Sequence, residues 1–135
     1  MANATAVLIY ETEAPIRFNC ASAAAFEKGD CVTLTGATEG LVVAITSANG
    51  DIFGGIVAEE KIANVGTTVS LYRRGYFKVE AGTTGVVVGL TATIEDAKNE
   101  FTTGAATDAE NGIVWGRVLE TATNGQFFVM QLGGI

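Results

Sequence analysis

Short apolar runs cut by polar, glycine-bearing turns follow one another along almost the whole chain, and none carries a helical period. Cys31 to Thr35 alternates, with Val32 and Leu34 on one side and Thr33 and Thr35 on the other. Leu41 to Ile45 is almost wholly apolar, and Phe53 to Ala58 follows a turn at Asn49-Gly50. Thr68 to Tyr72 and Tyr76 to Glu80 read as a pair of strands around Arg73, Arg74 and Gly75. Gly85 to Thr91, a short stretch around Thr93 to Glu95, Glu100 to Thr102, Ile113 to Glu120 and Gln126 to Leu132 complete the series. Ala21 to Phe26 and Glu59 to Asn64 leave room for a single helical turn at most. Asn49-Gly50, Asn111-Gly112 and Asn124-Gly125 are hairpin signals, because both residue types tolerate positive φ. Strand signals spaced by about 8–12 residues predict an all-β fold, a small antiparallel β-barrel or sandwich.

The first twenty residues differ from the rest. Val7, Leu8, Ile9 and Tyr10 form a small apolar run, Glu11 to Glu13 are polar, and Pro15 precedes Ile16, Arg17 and Phe18. Pro15 withholds an N–H and suits an edge or a linker better than a central strand. The expectation is an extended N-terminal arm over residues 1–20 and a single β domain over 21–135.

The last strand is apolar on both sides: Phe128, Met130 and Leu132 share one face, Phe127 and Val129 the other. A small antiparallel sheet usually leaves one face to water, so the second face points either to a subunit interface or to a closed barrel under an overlying loop. Gly40 to Thr46 (GLVVAIT) resembles Gly85 to Thr91 (GVVVGLT); two buried strands drawing on one small alphabet explain this more economically than an old duplication.

Composition narrows the chemistry. With 135 residues the chain has length for one core without staples. A mean hydropathy of +0.33 and only 17% charged residues leave few charges to cover a surface, which suggests that part of it meets another protein. A net charge of −7 speaks against nucleic acid and against anionic membrane surfaces. The nearest basic cluster, Arg73, Arg74 and Lys78, would be split by strand alternation. No secretory signal and no long apolar span is visible, which implies synthesis in a cytoplasm. Cys20 and Cys31 either pair across a short loop or, as a reducing compartment favours, stay as two buried thiols.

The chain has no His, which removes the commonest general base, the Ser-His and Cys-His nucleophile pairs and the commonest transition-metal ligand. Glu59-Glu60 and Glu95-Asp96 are the visible carboxylate doublets, but neighbours in a strand point opposite ways and read as solvated turn charges. The glycines spell no phosphate-binding loop. No catalytic, metal or cofactor site is expected, and no enzyme activity. Trp115 with Tyr10, Tyr72 and Tyr76 offers a sugar-stacking platform in principle, although aromatics in so apolar a chain serve core or interface more often.

From Phe26 to Leu132, about four-fifths of the chain, the order of elements resembles the capsid decoration, or cement, proteins of tailed bacteriophages. The resemblance lies in Lys28-Gly29-Asp30-Cys31-Val32, in Phe53 to Val57 (FGGIV), in Gly75 to Gly82 (GYFKVEAG), in the threonine-rich pair from Thr91 to Thr103, and in Asn111 to Glu120 (NGIVWGRVLE) before a terminal apolar strand. It implies a β-barrel or sandwich subunit, commonly trimeric, on the outside of an icosahedral head, clamping neighbouring copies of the major capsid protein. Such a protein needs complementary surface rather than reactive side chains, and a trimer multiplies weak contacts. The residues expected to touch the capsid or a sister subunit are Val7, Leu8, Ile9, Tyr10, Ile16, Phe18, Phe127 and Val129. The rival expectation is a glycan- or receptor-binding domain of a phage tail or fibre, built on Trp115 and the tyrosines.

Overall fold

The structure, a computed structural model, describes residues 5–35, 42–45, 50–95, 99–105, 108 and 112–133. These residues form eleven strands: β1 Val7–Tyr10, β2 Ile16–Cys20, β3 Cys31–Thr35, β4 Val42–Ile45, β5 Gly55–Val57, β6 Thr68–Tyr72, β7 Gly75–Ala81, β8 Thr91–Ile94, β9 Glu100–Thr103, β10 Gly116–Val118 and β11 Phe127–Leu132. The fold is all-β, as the alternation predicts, and it closes into two five-stranded barrels. One runs β2-β4-β3-β5-β6 and back to β2; the other runs β7-β9-β8-β10-β11 and back to β7. In each, a single parallel pair closes the ring: β2 with β4, and β7 with β9.

The two barrels are the same structure twice. Shifting every strand number by five converts one ring into the other, with the same neighbours and the same sense at every pairing. The backbone hydrogen bonds repeat as well. Gly29 N–H donates to Val57 O at 2.8 Å and Gly89 N–H to Val118 O at 2.8 Å. Ala58 N–H donates to Ser70 O at 2.8 Å and Leu119 N–H to Val129 O at 2.9 Å. The isolated bridge Phe26–Lys61 in the first barrel matches Val86–Ala122 in the second. Even a tight approach recurs: a Cβ on Gly55 would press on Tyr72 O, and one on Gly116 on Gln131 O. Glycine at the start of β5 and β10 lets each strand bend where the barrel closes.

This duplication is not the one suggested by GLVVAIT and GVVVGLT. Val42–Ile45 is β4, whose counterpart is β9, whereas residues 85–90 are a loop with one bridge, turned by Gly85 at φ 77° and Gly89 at φ 87°. The strand expected from Gly85 to Thr91 is therefore absent, and Val87, Val88 and Leu90 lie exposed. Residues 40, 41 and 46 lie outside the described residues. Neither expected helical turn forms: residues 21–26 and 59–64 are turns tied together by the Phe26–Lys61 bridge. The glycines of the three Asn-Gly pairs do take left-handed φ, at 70°, 73° and 80°, but only Asn124-Gly125 joins two strands that pair with each other. Gly50 and Gly112 instead sit on crossovers, because β4 and β9 pair away from the strands that follow them; Asn49 and Asn111 lie outside the described residues.

The first twenty residues, expected as an arm, supply strands to both barrels. β1 pairs with Tyr76–Lys78 on the edge of β7 that β9 occupies further along, and β2 is a stave of the first barrel. The corresponding edge of β2 begins at Pro15, whose missing N–H makes it a poor template for another strand.

Each barrel has its own core. Phe18, Cys20, Phe26, Val32, Val43, Val57, Val69 and Leu71 fill the first. The second holds Phe77, Val79, Ile94, Phe101, Trp115, Phe128, Met130 and Leu132, joined by Cys31 and Ile56 from the outer side of the first barrel. The barrels are thus packed through β3 and β5. A buried polar tie reinforces the junction: Asn99 accepts the Cys31 N–H at 2.7 Å through Oδ1, and its Nδ2 donates to Asp30 Oδ1 at 3.3 Å. Lys61, also buried, donates to the carbonyls of Ala24 at 2.7 Å, Ser22 at 2.9 Å and Ile62 at 3.3 Å, so its charge is well solvated by backbone.

Neither Cys20 nor Cys31 forms a disulfide, and both are buried. Burial raises the Cys20 thiol above its ordinary pKa, with nearby Lys61 opposing, so less of it is thiolate at any given pH than in the unfolded chain. Native protein at pH 8 is accordingly expected to react with Ellman's reagent far more slowly than denatured protein, which releases two equivalents. Fast titration of either thiol in the native state would mean that the barrel opens readily there.

Candidate interaction surface

The outer face of the second barrel is where apolar side chains collect. Along β11 burial alternates, Phe128, Met130 and Leu132 pointing into the core and Phe127 and Val129 outward, so the strand's second face is only partly covered by the described residues. The pairing register lays Val7 beside Lys78, Lys78 beside Val129, and Phe127 beside Glu80. Leu119, hydrogen-bonded to Val129 through the backbone, extends the row. Val7 is 58% exposed, Phe127 42% and Leu119 37%. Tyr10 and Tyr76 stack edge to face at 6.1 Å at the neighbouring position.

The duplication supplies an internal comparison. The positions in the first barrel that correspond to Leu119, Phe127 and Val129 are Ala58, Thr68 and Ser70, matched through the repeated hydrogen bonds and strand starts. One backbone thus presents small or polar residues on one barrel and large apolar ones on the other. Nothing in the shared architecture requires Phe127 or Leu119 to be apolar.

Of the residues singled out from sequence, Val7, Ile9, Tyr10, Ile16 and Phe127 are exposed, and Val129 and Leu8 are part-buried, Leu8 packing against the second core. Phe18 is a correction. Its side chain is buried in the first barrel because β2 turns that face inward, so it is unfit for a surface contact. Leu119 escaped the sequence reading, since a residue just past a three-residue strand carries no alternation to mark its side.

Trp115 is core, the use its apolar setting favours, and the rival sugar platform loses its central ring. It is fully buried, edge to face with Phe53 at 5.1 Å and with Phe101 at 5.8 Å, and its Nε1–H donates to Asp51 O at 3.1 Å. A ring held on both sides cannot stack on a sugar. Glu59 and Glu60 are exposed, Glu95 accepts hydrogen bonds from Thr84, and Asp96 lies outside the described residues. Among the described residues no three His, Cys, Asp or Glu side chains gather in metal-binding geometry.

The basic residues separate, as alternation suggests, though in a turn. Arg74 is exposed, 4.0 Å from Glu13. Arg73 is half-buried, with its guanidinium 4.5 Å from the centre of the Phe53 ring, 5.8 Å from that of Phe18, and its buried Nε without a hydrogen-bond partner. Burial lowers its pKa, Glu13 opposes that and Arg74 adds to it. Burial and the nearby carboxylates Glu11 and Glu59 raise the Tyr72 phenol.

These features define an all-β, two-barrel protein with apolar side chains exposed on the outer face of its second barrel and no assembled reaction centre among the described residues. Its fold is similar to that of a solved structure, the head fibre gp8.5 N base of bacteriophage phi29: the TM-score is 0.55 at 14% identity, over 87% of this chain and 92% of that one. No family model matches the chain, and no curated protein does.

Proposed function

We propose that the chain is a non-enzymatic structural protein of a tailed-phage head, a decoration subunit that sits on the outer surface of the icosahedral shell as a homotrimer and ties together neighbouring copies of the major capsid protein. The observation that carries this reading is the apolar group Val129, Phe127 and Leu119, with Val7 across Lys78 from Val129, on a barrel whose twin keeps the positions equivalent to the first three small or polar. An exposed group of this kind is characteristic of a surface covered by another protein. The fold it stands on is one that a phage head fibre base also uses. A glycan-binding fibre domain has weaker support, because Trp115 is sealed inside the second core.

The test follows from the geometry. Deleting the first ten residues would strip β1 from β7, take Leu8 away from the second core and uncover its pairing partner Phe77, confusing stability with contact. Val7→Ser, Leu119→Ser, Phe127→Ser and Val129→Ser together alter only outward side chains and are expected to leave the melting temperature nearly unchanged. Binding to expanded, undecorated heads of the cognate phage, measured by co-sedimentation, is expected to fall by at least about tenfold, the loss of one or more central contacts. Full retention of binding would remove this face from the interface, and wild-type protein that ignores heads would end the reading.

A further inference from the structure

At the junction of the barrels, Glu13, Ile16, Phe53, Arg73, Arg74 and Gly133 line a groove of about 370 Å³. Arg73 projects a guanidinium stacked on Phe53, and its buried Nε–H has no hydrogen-bond partner. A guanidinium presents its N–H donors in a planar fork matched to a carboxylate, and leaving a buried one unused is costly unless something supplies the acceptor. The rim already holds Glu13 against Arg74, so the groove carries one net positive charge, suited to a single carboxylate rather than to a dianionic phosphate.

The same chain offers the complement. In the second barrel Glu120 folds back to accept the Val129 N–H at 3.0 Å. Its counterpart in the first barrel is Glu59, next to Glu60, and both are exposed with no hydrogen bond or ion pair among the described residues, although Arg17 lines the same hollow. The loop they open carries Ile62 and Val65, each 62% exposed. The hollow of Glu59 and Glu60 and the Arg73 groove share no lining residue, so donor and receptor are two distinct patches of one chain. A contact between two different patches is a head-to-tail pair, which generates a ring when its rotation closes.

We infer that the Arg73 groove of one copy receives a carboxylate of the Glu59-Glu60 loop of the next, with Ile62 or Val65 against the apolar wall of Ile16 and Phe53. The inference rests on the reading of the chain as a self-assembling subunit. Sedimentation velocity of the full-length protein tests it with Arg73→Met, which keeps an apolar stem over Phe53, with the surface pair Glu59→Gln and Glu60→Gln, and with all three together. Each set is expected to weaken self-association by about tenfold or more, and the combination to be no worse than either, because both remove one interaction. The exchange of Arg73→Glu with Glu59→Arg and Glu60→Arg is expected to recover part of the loss.

Wild-type association in either separate set, strictly additive losses, or a wild-type protein that stays monomeric overturns the inference. Should Arg73→Met fail to fold, the exposed glutamate pair decides alone. Head binding measured on the same variants keeps the outcomes apart. Lost binding to heads with unchanged self-association would assign the groove to a shell carboxylate and overturn the sister-copy contact, whereas binding failure by the wild type strikes at the proposed function instead.

Discussion

Trp115→Ala is expected to destabilise the protein by about 3–5 kcal/mol, the range for emptying a buried aromatic site. Trp115 is the largest fully buried side chain, it joins Phe101 of its own barrel to Phe53 from the connection into β5, and its indole N–H satisfies Asp51 O on that same connection. Truncation removes core volume, two edge-to-face ring contacts and one buried hydrogen bond together. Because Phe53 lies between Trp115 and Arg73, the cavity also loosens the wall of the junction groove. Guanidinium unfolding followed by circular dichroism should report the loss, and a melting temperature lower by roughly 10–18 °C is the thermal counterpart for a chain this size. A loss below about 1 kcal/mol would mean that the two barrels do not share this residue as a common core element.

Asn99 has the second-largest expected effect, and two substitutions separate its causes. Its φ of 64° places it in the left-handed region, its side chain is buried, and it joins the Cys31 N–H to Asp30 across the barrel junction. Asn99→Gly keeps the backbone at ease and removes the bonds, leaving a buried donor unpaired, for about 1–3 kcal/mol. Asn99→Ala loses the same bonds and adds a Cβ in a left-handed conformation, for about another 1–2 kcal/mol. Unfolding free energies ordered wild type, Gly variant, Ala variant are therefore expected. Equal stability of all three would show that the tie contributes nothing to holding the barrels together.

Much of the strand inventory was legible along the chain. Cys31–Thr35, Thr68–Tyr72, Glu100–Thr103 and Phe127–Leu132 lie where alternation puts them, and the inward set Phe128, Met130 and Leu132 follows from period two alone. Gly85 to Thr91 misled because its composition is that of a buried strand, while two left-handed glycines turn it into an exposed loop. The candidate contact face was half legible: Phe127 and Val129 could be set opposite the core face, but Leu119 beside them depends on the neighbouring strand's register. Phe18 was misplaced because an apolar residue's type does not say whether its own chain or another will cover it.

By itself the sequence determined that the chain would be strands and turns, which residues share a side of each strand, and that histidine chemistry is absent. Those properties are local, set by the two-residue repeat of an extended backbone and by residue type. Only the tertiary structure decided that the strands close into two equivalent rings, that β2 is a stave and β1 an added strand on β7 rather than an arm, and that Arg73 is left facing a groove. Pairing partners are chosen by contacts between residues far apart in the chain. The ladder of backbone hydrogen bonds that repeats between the barrels is nearly indifferent to side chains, so two segments with little shared sequence fold alike provided that alternation holds and glycine stands where backbones touch.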